Sequence, residues 1–292
     1  MNMDVRTHKP DVRKKVSLKI FNTLRLEAIA PIMFVAHSTD DLSEFAKRVC
    51  SWDDFYLLGA GSNIFIENDI LNKPVLILGK EFSYIERVDS LSLEIGAATA
   101  LSKVISYTIE QNLRGLEELA GIPASIGGMM ACNASSFGKE LLSLVEEAAV
   151  IDESGEIKHV KKSDIRYSYR RSSLENCIII KAILRFDEAC DVREKVISYL
   201  GKRLDMQDFS YPSAGCIFKN PLNVSAGYLI DKCGLKGFRV GGAQVSLKHG
   251  NFIINRADAK AGDINYIIAV IKERVNERFG IILEEEIVRW KI

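Results

Sequence analysis

Two glycines stand between short apolar runs in the segment Leu58-Gly59-Ala60-Gly61-Ser62-Asn63-Ile64. Glycines leave backbone N–H groups open to a phosphate, so the segment suggests nucleotide binding. A Rossmann fingerprint would have glycine or alanine at position 64 and would then open a helix, whereas Ile64-Phe65-Ile66 is typical of a strand. The segment therefore predicts a phosphate loop between two strands, with a plain hairpin turn as the alternative for the segment alone.

A second glycine-rich region comprises Gly121-Ile122-Pro123-Ala124-Ser125-Ile126-Gly127-Gly128 and Cys132-Asn133-Ala134-Ser135-Ser136-Phe137-Gly138. Backbone donors and the Ser125 hydroxyl could satisfy phosphate oxygens without a lysine. Each loop alone is weak evidence. The two regions together favour a bound nucleotide cofactor over structural turns.

Apolar periodicity predicts a mixed α+β protein. Strands are expected at 55–58, 64–66, 75–78, 91–95, 148–151, 157–160 and 178–186. Helices are expected at 40–49, 101–111, 192–206 and 264–275. Helical patterns are denser after residue 190, and we expect a domain boundary there.

Composition narrows the class of protein. The chain has 292 residues with 39 basic and 39 acidic side chains, so no sustained basic face for nucleic acid is expected. Its six cysteines are widely spaced and it has four histidines, which favours reduced cytoplasmic thiols over a metal site. No run of about 18 apolar residues occurs, so no membrane insertion is expected. The first twenty residues are polar and basic but interrupted by Asp4 and Asp11, and we expect a solvated tail.

Residues 213 to 221 read Ser-Ala-Gly-Cys-Ile-Phe-Lys-Asn-Pro and set one ionisable thiol among small residues. Cys216 could deliver a proton to a bound anion, while Lys219 and Asn220 could bind an oxygen-rich molecule. For an isolated Gly-Cys pair, a buried and inert cysteine is the more common outcome.

Three further positions carry polar side chains suited to ligand binding. Arg170, in Tyr169-Arg170-Arg171-Ser172, could clamp a carboxylate, although such residues are common on solvated strand edges. His249 is by default a surface or satisfied histidine. In a strand, Glu284 and Glu286 would share a face, so the acidic run could turn a pair inward or remain solvated.

Taken in order, these motifs resemble the UDP-N-acetylenolpyruvoylglucosamine reductase family. The resemblance is carried by Leu-Gly-x-Gly-Ser-Asn at 58–63, Gly-Ile-Pro at 121–123, Tyr-Arg-x-Ser at 169–172, the segment at 213–221, Leu-Lys-Gly at 235–237 and Leu-x-x-Glu-Ile at 283–287. It implies an FAD-binding domain of the vanillyl-alcohol-oxidase (PCMH) type in two α+β lobes, residues 1–190. A smaller α+β substrate domain, residues 191–292, follows.

The resemblance also implies a reaction and a site. NADPH reduces FAD, hydride passes to the enolpyruvyl C3 of a UDP-sugar, and an acid protonates C2. Cys216 matches the proton donor, Arg170 the carboxylate-binding arginine and Glu286 the active-site glutamate. Cofactor contacts are expected from Gly59, Ala60, Gly61, Ser62, Asn63, Gly121, Ser125, Gly127, Gly128 and Asn133. Substrate contacts are expected from Tyr169, Lys219, Asn220 and His249, in a monomeric cytoplasmic enzyme.

The sequence departs from the family at several places. The family usually has serine where this chain has Cys216, and glycine where it has Ala124 and Ser135. The short separation of Arg170 from Cys216 resembles the shorter subclass, which lacks an extra substrate-covering loop. An FAD-dependent oxidase or dehydrogenase of another sugar or alcohol, and a nucleotide-binding protein without turnover, are the alternatives.

Overall fold

The computed structural model of the protein describes residues 11–49 and 51–291. The solvated tail predicted for the first twenty residues lies partly outside the described residues, at 1–10. The rest of that prediction is wrong, because Asp11–Ser17 forms a strand. Most of its side chains are exposed, as expected of a charged edge strand that gains backbone hydrogen bonds on one side only.

The first lobe is a four-stranded sheet with one flanking helix. Strand β1 pairs antiparallel with β2, and β5 lies parallel between β2 and β3. The elements of this lobe are β1 Asp11–Ser17, β2 Ile29–Ala36, α1 Thr39–Arg48, β3 Tyr56–Leu58, β4 Ile64–Ile66 and β5 Val75–Leu78.

The second lobe is built on a five-stranded antiparallel sheet of order β12-β11-β15-β7-β6, against which α2 and α3 contribute to one apolar core. Its main elements are β6 Ile85–Arg87, β7 Ser92–Gly96, α2 Leu101–Glu110, β8 Leu113–Arg114, α3 Ile126–Ala131, β9 Ser135–Ser136, β10 Lys139–Glu140, β11 Val145–Ile151, β12 Ile157–Lys161, β13 Tyr167–Ser168, β14 Arg171–Ser172, β15 Ile178–Arg185 and β16 Asp187–Glu188.

The C-terminal part contains a four-stranded antiparallel sheet of order β17-β20-β19-β18, covered by α5 and α6. Its elements are α4 Val192–Met206, β17 Ser213–Cys216, α5 Ala226–Lys232, β18 Arg239–Val240, β19 Ala243–Val245, β20 Phe252–Asn255, α6 Ala261–Phe279 and β21 Val288–Trp290. None of the helices in the part of the chain that the structure describes is long and apolar enough to cross a membrane.

Two contacts connect the C-terminal part to the lobes before it. Strand β21 pairs in parallel with β4 of the first lobe, and Leu24, Leu26 and Phe65 pack in the C-terminal core. Helix α4 packs instead against the second lobe, because Val192 and Val196 lie in the core of that lobe. The boundary near residue 190 stays a prediction, since α4 follows it in sequence but packs with the residues before it.

The predicted α+β class is confirmed, and every predicted helix and strand is present with its ends shifted by a few residues. The elements that were missed are short or lack a clear period. Helix α3 contains two glycines in six residues, a composition that disfavours a helix in isolation. It forms because Ser125 caps it and because Ile126, Met129 and Met130 are buried in the core.

Candidate active site

The first glycine loop connects β3 to β4 as a tight turn. Gly61 has a φ of +66°, and a Cβ added there would lie 1.9 Å from the Phe21 carbonyl oxygen, so only glycine fits. The Gly61 carbonyl accepts a hydrogen bond from the Thr23 N–H at 3.0 Å. The N–H groups of Ala60, Gly61 and Ser62 donate to none of the described residues. These donors can receive an anionic group such as a phosphate.

The second glycine loop touches the first. A Cβ added at Gly59 would lie 2.8 Å from the Ser125 Oγ, which shows how closely the two backbones approach. The Ser125 Oγ accepts from the Gly128 N–H at 3.4 Å, and the Gly127 N–H donates to the Ala97 carbonyl at 2.9 Å. The N–H groups of Gly127 and Gly128 at the start of α3 thus donate to acceptors within the protein. The Ser125 hydroxyl keeps its hydrogen for a ligand.

Asn133 carries an unpaired acceptor at the end of the same region. Its side chain is 0% exposed, and its Nδ2 donates to the Glu140 Oε1 at 3.0 Å and to the Ser168 carbonyl at 2.9 Å. The Asn133 Oδ1 has no partner among the described residues. A buried acceptor without a partner, together with the free N–H donors of the first glycine loop, fits a cofactor that has both N–H groups and phosphates, as FAD does.

Arg170 occupies the turn between β13 and β14 with a φ of +57°. Its Nη1 donates to both the carbonyl and the hydroxyl of Ser135, each at 3.1 Å. The Ser135 side chain therefore adds a hydrogen bond that a glycine at this position would not make. The Arg170 Nε lies 2.6 Å from the Glu286 Oε1, but its N–H does not point at that oxygen, so the contact is an ion pair without an aligned hydrogen bond.

Glu286 lies just before β21, where two backbone contacts hold it. Its N–H donates to the Ile217 carbonyl at 2.8 Å, and its carbonyl accepts from the Asn63 Nδ2 at 3.3 Å. The side chain is only 12% exposed. Burial raises the pKa of the Glu286 carboxyl, and the nearby charges of Arg170 and Lys219 offset this only in part.

Cys216 ends β17, where the pairing with β20 is irregular and Gly215 has a φ of +74°. Burial and then the Glu286 carboxylate raise the pKa of the Cys216 thiol to about 12, although Arg170, Arg203 and a hydrogen bond with Asn251 act in the opposite direction. The residue itself remains partly accessible to solvent. At neutral pH the thiol is therefore protonated, as a proton donor must be.

The structure brings together Arg170, Cys216 and Glu286 from three separate segments of the chain. Lys219 lies beside them, 3.4 Å from a Glu284 oxygen, and its charge acts on Glu286. Tyr169 reaches across to the C-terminal part, where its hydroxyl accepts from the Asn220 N–H at 3.3 Å. These contacts form one cluster at the junction of the second lobe and the C-terminal sheet.

Two predicted ligand-binding side chains are also used inside the protein. The Asn220 Oδ1 accepts from the Ala226 N–H at 3.0 Å. The His249 Nδ1 accepts from the Asn251 N–H at 3.3 Å. Burial and then the Lys236 charge lower the pKa of His249, so the ring is neutral near pH 7. Gly121, predicted to contact the cofactor, has a φ of +85° and packs against the Arg203 side chain.

Sequence reasoning missed two residues of this cluster. Asn251 is buried, and its carboxamide accepts from the Phe218 N–H at 2.9 Å and donates to the Phe218 carbonyl at 2.7 Å, which fixes the segment next to Cys216. Nothing in its immediate sequence distinguishes it. Arg203 did carry a signal: it shares one face of α4 with Val192 and Val196, so a charge occupies a core position.

Metal chemistry finds no support in the geometry. Among residues 11–49 and 51–291, no group of three or more histidine, cysteine, aspartate or glutamate side chains could hold a metal ion.

Comparison with known proteins gives two matching family models. One, described as "FAD binding domain", matches residues 30–161. The other, described as "UDP-N-acetylenolpyruvoylglucosamine reductase, C-terminal domain", matches residues 207–290. The predicted architecture, an FAD-binding part followed by a C-terminal domain, is confirmed.

Individual proteins agree over nearly the whole chain. UDP-N-acetylenolpyruvoylglucosamine reductase of Caldicellulosiruptor bescii is 36% identical over 279 residues, covering 92% of this chain and 88% of that protein. The protein of the same name from Halalkalibacterium halodurans is 32% identical over 286 residues, covering 95% and 93%. The crystal structure of UDP-N-acetylenolpyruvylglucosamine reductase from Thermus caldophilus superposes with a TM-score of 0.82 at 30% identity, covering 97% of this chain and 99% of that one.

Proposed function

The chain belongs to the UDP-N-acetylenolpyruvoylglucosamine reductase family, and from this premise we propose that Arg170, Cys216 and Glu286 carry out its reaction. The protein is an FAD- and NADPH-dependent oxidoreductase of peptidoglycan precursor synthesis, which reduces the enolpyruvyl group of UDP-N-acetylenolpyruvoylglucosamine to give UDP-N-acetylmuramate. The observation that carries the assignment of residues is the buried Arg170–Glu286 ion pair beside the Cys216 thiol.

A bound FAD would supply the redox chemistry, the passage of a hydride from NADPH to C3 of the enolpyruvyl group. The residues that would hold it are the N–H donors of Ala60, Gly61 and Ser62, the Ser125 hydroxyl and the Asn133 Oδ1. The first four are hydrogen-bond donors suited to a pyrophosphate, and the last is an acceptor suited to a ring N–H.

Arg170 provides the positive charge for the substrate. Once C3 has received hydride, negative charge develops at C2 and on the adjoining carboxylate. The Arg170 guanidinium is fixed by Ser135 and Glu286 before substrate arrives, so it can stabilise this charge without rearranging. Glu286 holds the guanidinium in place, and after burial it is the second cause of the raised pKa of the neighbouring Cys216 thiol.

Cys216 completes the reaction as general acid. Its S–H bond breaks as a C–H bond forms at C2, and the electron pair stays on sulfur. A thiol is a stronger acid than the hydroxyl of the family's usual serine, so this transfer to a carbanion is favourable even at the raised pKa. Lys219, Tyr169 and Asn220 lie at the same junction and are proposed to contact the substrate.

The function is tested with the purified holoenzyme. We expect a yellow protein that oxidises NADPH only when UDP-N-acetylenolpyruvoylglucosamine is added, measured as loss of NADPH absorbance, with UDP-N-acetylmuramate identified by mass spectrometry. Oxidation of NADPH at the same rate without that substrate, or with oxygen as sole acceptor, would instead support an oxidase.

Replacement of Cys216 tests its role as proton donor. We expect Cys216→Ala to reduce flavin with NADPH at the normal rate but to lose turnover by about 10²–10⁴-fold, the usual contribution of a general acid. Cys216→Ser should retain turnover because its hydroxyl occupies the same place. Stopped-flow absorbance separates the two half-reactions, and normal turnover by the alanine variant would exclude Cys216 as the acid.

We further propose a monomeric enzyme that works in the cytoplasm. The cysteines at 132, 177, 190, 216 and 233 are all unpaired, as expected in a reducing compartment. Light scattering coupled to size-exclusion chromatography tests the first statement, because a mass near 65 kDa, about twice that of one 32.6 kDa chain, would contradict it.

A further inference from the structure

The Asn133 carboxamide is held in one orientation by two acceptors. Its Nδ2 donates to the Glu140 Oε1 at 3.0 Å and to the Ser168 carbonyl at 2.9 Å, so both of its N–H groups are used. An exchange of Nδ2 and Oδ1 by rotation would bring the amide oxygen against these two acceptors and break both hydrogen bonds. The direction of the Asn133 Oδ1 is therefore set by Glu140 and Ser168.

The same amide presents a buried acceptor that the protein does not use. Among the described residues nothing donates to the Oδ1, and Asn133 is 0% exposed. A buried polar atom without a partner is unfavourable, and native proteins rarely keep one without a reason. The Asn133 backbone also has a φ of +44°, in the left-handed region that few residues other than glycine and asparagine adopt. The oxygen therefore needs a donor from a bound molecule.

Asn133 lies beside the residues assigned to the reaction. It holds the Ser168 carbonyl, two residues before Arg170. Ser135, two residues after Asn133, accepts both hydrogen bonds of the Arg170 Nη1. Of the two aromatic ring systems of FAD, only the isoalloxazine exchanges hydride, so it must lie at the substrate end of the cofactor. The part of FAD nearest to Asn133 is therefore the isoalloxazine ring rather than the adenine.

The isoalloxazine ring offers one hydrogen-bond donor in its oxidised form. Its N3 carries a hydrogen, whereas N1, N5 and the two carbonyl oxygens of the ring are acceptors. The Asn133 Oδ1 has no hydrogen of its own, so the N3–H is the group of the oxidised ring with which it can pair.

We propose that the Asn133 Oδ1 accepts a hydrogen bond from the isoalloxazine N3–H of FAD, and that Glu140 is a positioning residue that acts through Asn133. The inference rests on the proposed function, because it takes Arg170 as the place of the reaction. Glu140 reaches the amide from β10, whose pairing with β9 fixes its backbone. A carboxylate is a stronger acceptor than a carbonyl, so Glu140 holds the amide more tightly than Ser168 does.

The test measures how strongly the full-length holoenzyme prefers FAD over N3-methyl FAD, which has the same ring system without the N3–H. The holoenzyme is equilibrated with mixtures of the two flavins, and the bound flavins are identified by mass spectrometry after gel filtration. We expect the wild type to prefer FAD by about tenfold or more, because the methylated flavin loses one hydrogen bond and places a methyl group against the Asn133 Oδ1. Equal binding of the two flavins would overturn the contact.

Glu140→Met tests the positioning role, since it removes the acceptor and keeps a side chain of similar length. We expect the preference for FAD to fall to about two- to threefold, because the amide is then held only by the Ser168 carbonyl. Glu140→Gln keeps an acceptor oxygen for the Asn133 Nδ2 and should retain most of the preference. A folded Glu140→Met variant with the wild-type preference would overturn the role of Glu140. Glu140→Ala is the second variant without an acceptor, and loss of flavin by both, with retention by Glu140→Gln, would support the role.

The matched control is Glu146→Met, which removes a partly buried carboxylate from β11 in the same lobe. Its described hydrogen bond is with Lys162 rather than with Asn133. This variant should prefer FAD as the wild type does. Thermal melting shows whether each variant is folded. A purely structural role of Glu140 would lower the melting temperature but leave the ratio of the two bound flavins unchanged, so the ratio separates the two explanations.

The outcome for Asn133 is separable from that for the reaction, because flavin binding does not require turnover. Equal binding of the two flavins together with loss of turnover in Cys216→Ala rejects only the inference about Asn133. A preference of about tenfold together with full turnover in Cys216→Ala rejects the assignment of the acid and leaves the contact intact. Deamino-FAD, in which oxygen replaces the adenine amine, tests the other end of the cofactor. Discrimination against it but not against N3-methyl FAD would assign the Oδ1 to the adenine and overturn the proposal.

Discussion

At the residue scale, Cys216 is governed by charges that come from distant parts of the chain. Glu286, Arg170 and Arg203 belong to three separate segments of the chain, yet each changes the pKa of the same thiol. Burial has the largest effect and keeps the proton on sulfur at neutral pH. Cys216 is thus held in its protonated form, which is the form that the proposed role as general acid requires.

Glu286→Gln should lower the pKa of the Cys216 thiol. Removal of the carboxylate removes the second-largest cause of the raised thiol pKa and leaves Arg170 unpaired, so the pKa falls below about 12. At any pH below it, the thiolate fraction increases and alkylation of Cys216 becomes several-fold faster. Peptide mass spectrometry at a series of pH values measures this. Slower alkylation in the folded variant would show that Glu286 does not act on the thiol.

Sequence reasoning identified the residues that lie in recognisable motifs and missed those defined by contact. Arg170, Cys216 and Glu286 were each named from local segments, and the structure brings them together. Asn251 could not be named because its role depends on the Phe218 backbone, 33 residues away. Arg203 was overlooked because α4 was predicted from the apolar residues along one face of the helix. Arg203 is a charged residue on that same face, so it was not considered part of the pattern.

At the element scale, the two glycine loops work as one unit because they are in contact. Gly59 lies against Ser125, and Gly61 lies against the Phe21 carbonyl. The sequence predicted both loops but not this contact. It also predicted a phosphate-binding turn from residues that proved to be the start of α3, because two glycines conceal a helix whose stability comes from tertiary packing.

Gly61→Ala should damage the loop between β3 and β4. Its φ of +66° and the 1.9 Å approach of the Phe21 oxygen leave no room for a methyl group, so we expect a loss of more than about 1 kcal/mol in the free energy of unfolding. Flavin content should also fall, because the N–H donors move. Urea unfolding and the flavin-to-protein absorbance ratio measure the two effects.

Gly201→Ala provides the control for that substitution. Gly201 lies inside α4 with nothing within 4 Å of an added Cβ. Alanine is the better helix former, so we expect a gain of about 0.5–1 kcal/mol and unchanged flavin content. If both glycine variants lost the same stability, the strain assigned to the loop would be contradicted.

At the scale of the whole molecule, the C-terminal part joins the first lobe through a strand pair and a shared core. Strand β21 lies parallel to β4, and Arg289 on β21 contacts Glu67 at 2.8 Å and Asn265 at 2.6 Å. The Trp290 ring stacks on Tyr56 with centroids 4.5 Å apart. The strand of this joint begins two residues beyond Glu286, so the joint also positions the carboxylate that we propose takes part in the reaction.

Trp290→Ala tests whether the joint supports the site. The side chain is 4% exposed, and its removal should cost about 3–5 kcal/mol by loss of packing. Turnover should fall as well, because Glu286 loses its anchor. Phe34→Ala is the matched control, since the Phe34 side chain is 8% exposed and packs on Phe45 in a separate core cluster. Urea unfolding and steady-state rates are compared, and full activity in a destabilised Trp290→Ala would separate the joint from catalysis.

Sequence periodicity could not predict this arrangement. The alternation of apolar residues reveals a strand but not its partner, and β21 has too few residues for a clear period. The order of the strands within the first sheet could not be predicted either, because β5 lies between β2 and β3. Local apolar patterns were sufficient to predict the fold class. The pairing of β21 with β4 depends on packing between residues that are far apart in the sequence.

The pairing of β4 with β21 has a consequence for how the protein is made. Glu67 and Arg289 are 222 residues apart, so at roughly 5–20 residues per second a ribosome needs roughly 10–45 seconds to deliver the second after the first. During that interval β4 has no partner along this edge and Glu286 does not yet exist. The glycine loops of the nascent chain can form early. The proposed site that includes Glu286 is complete only near the end of synthesis.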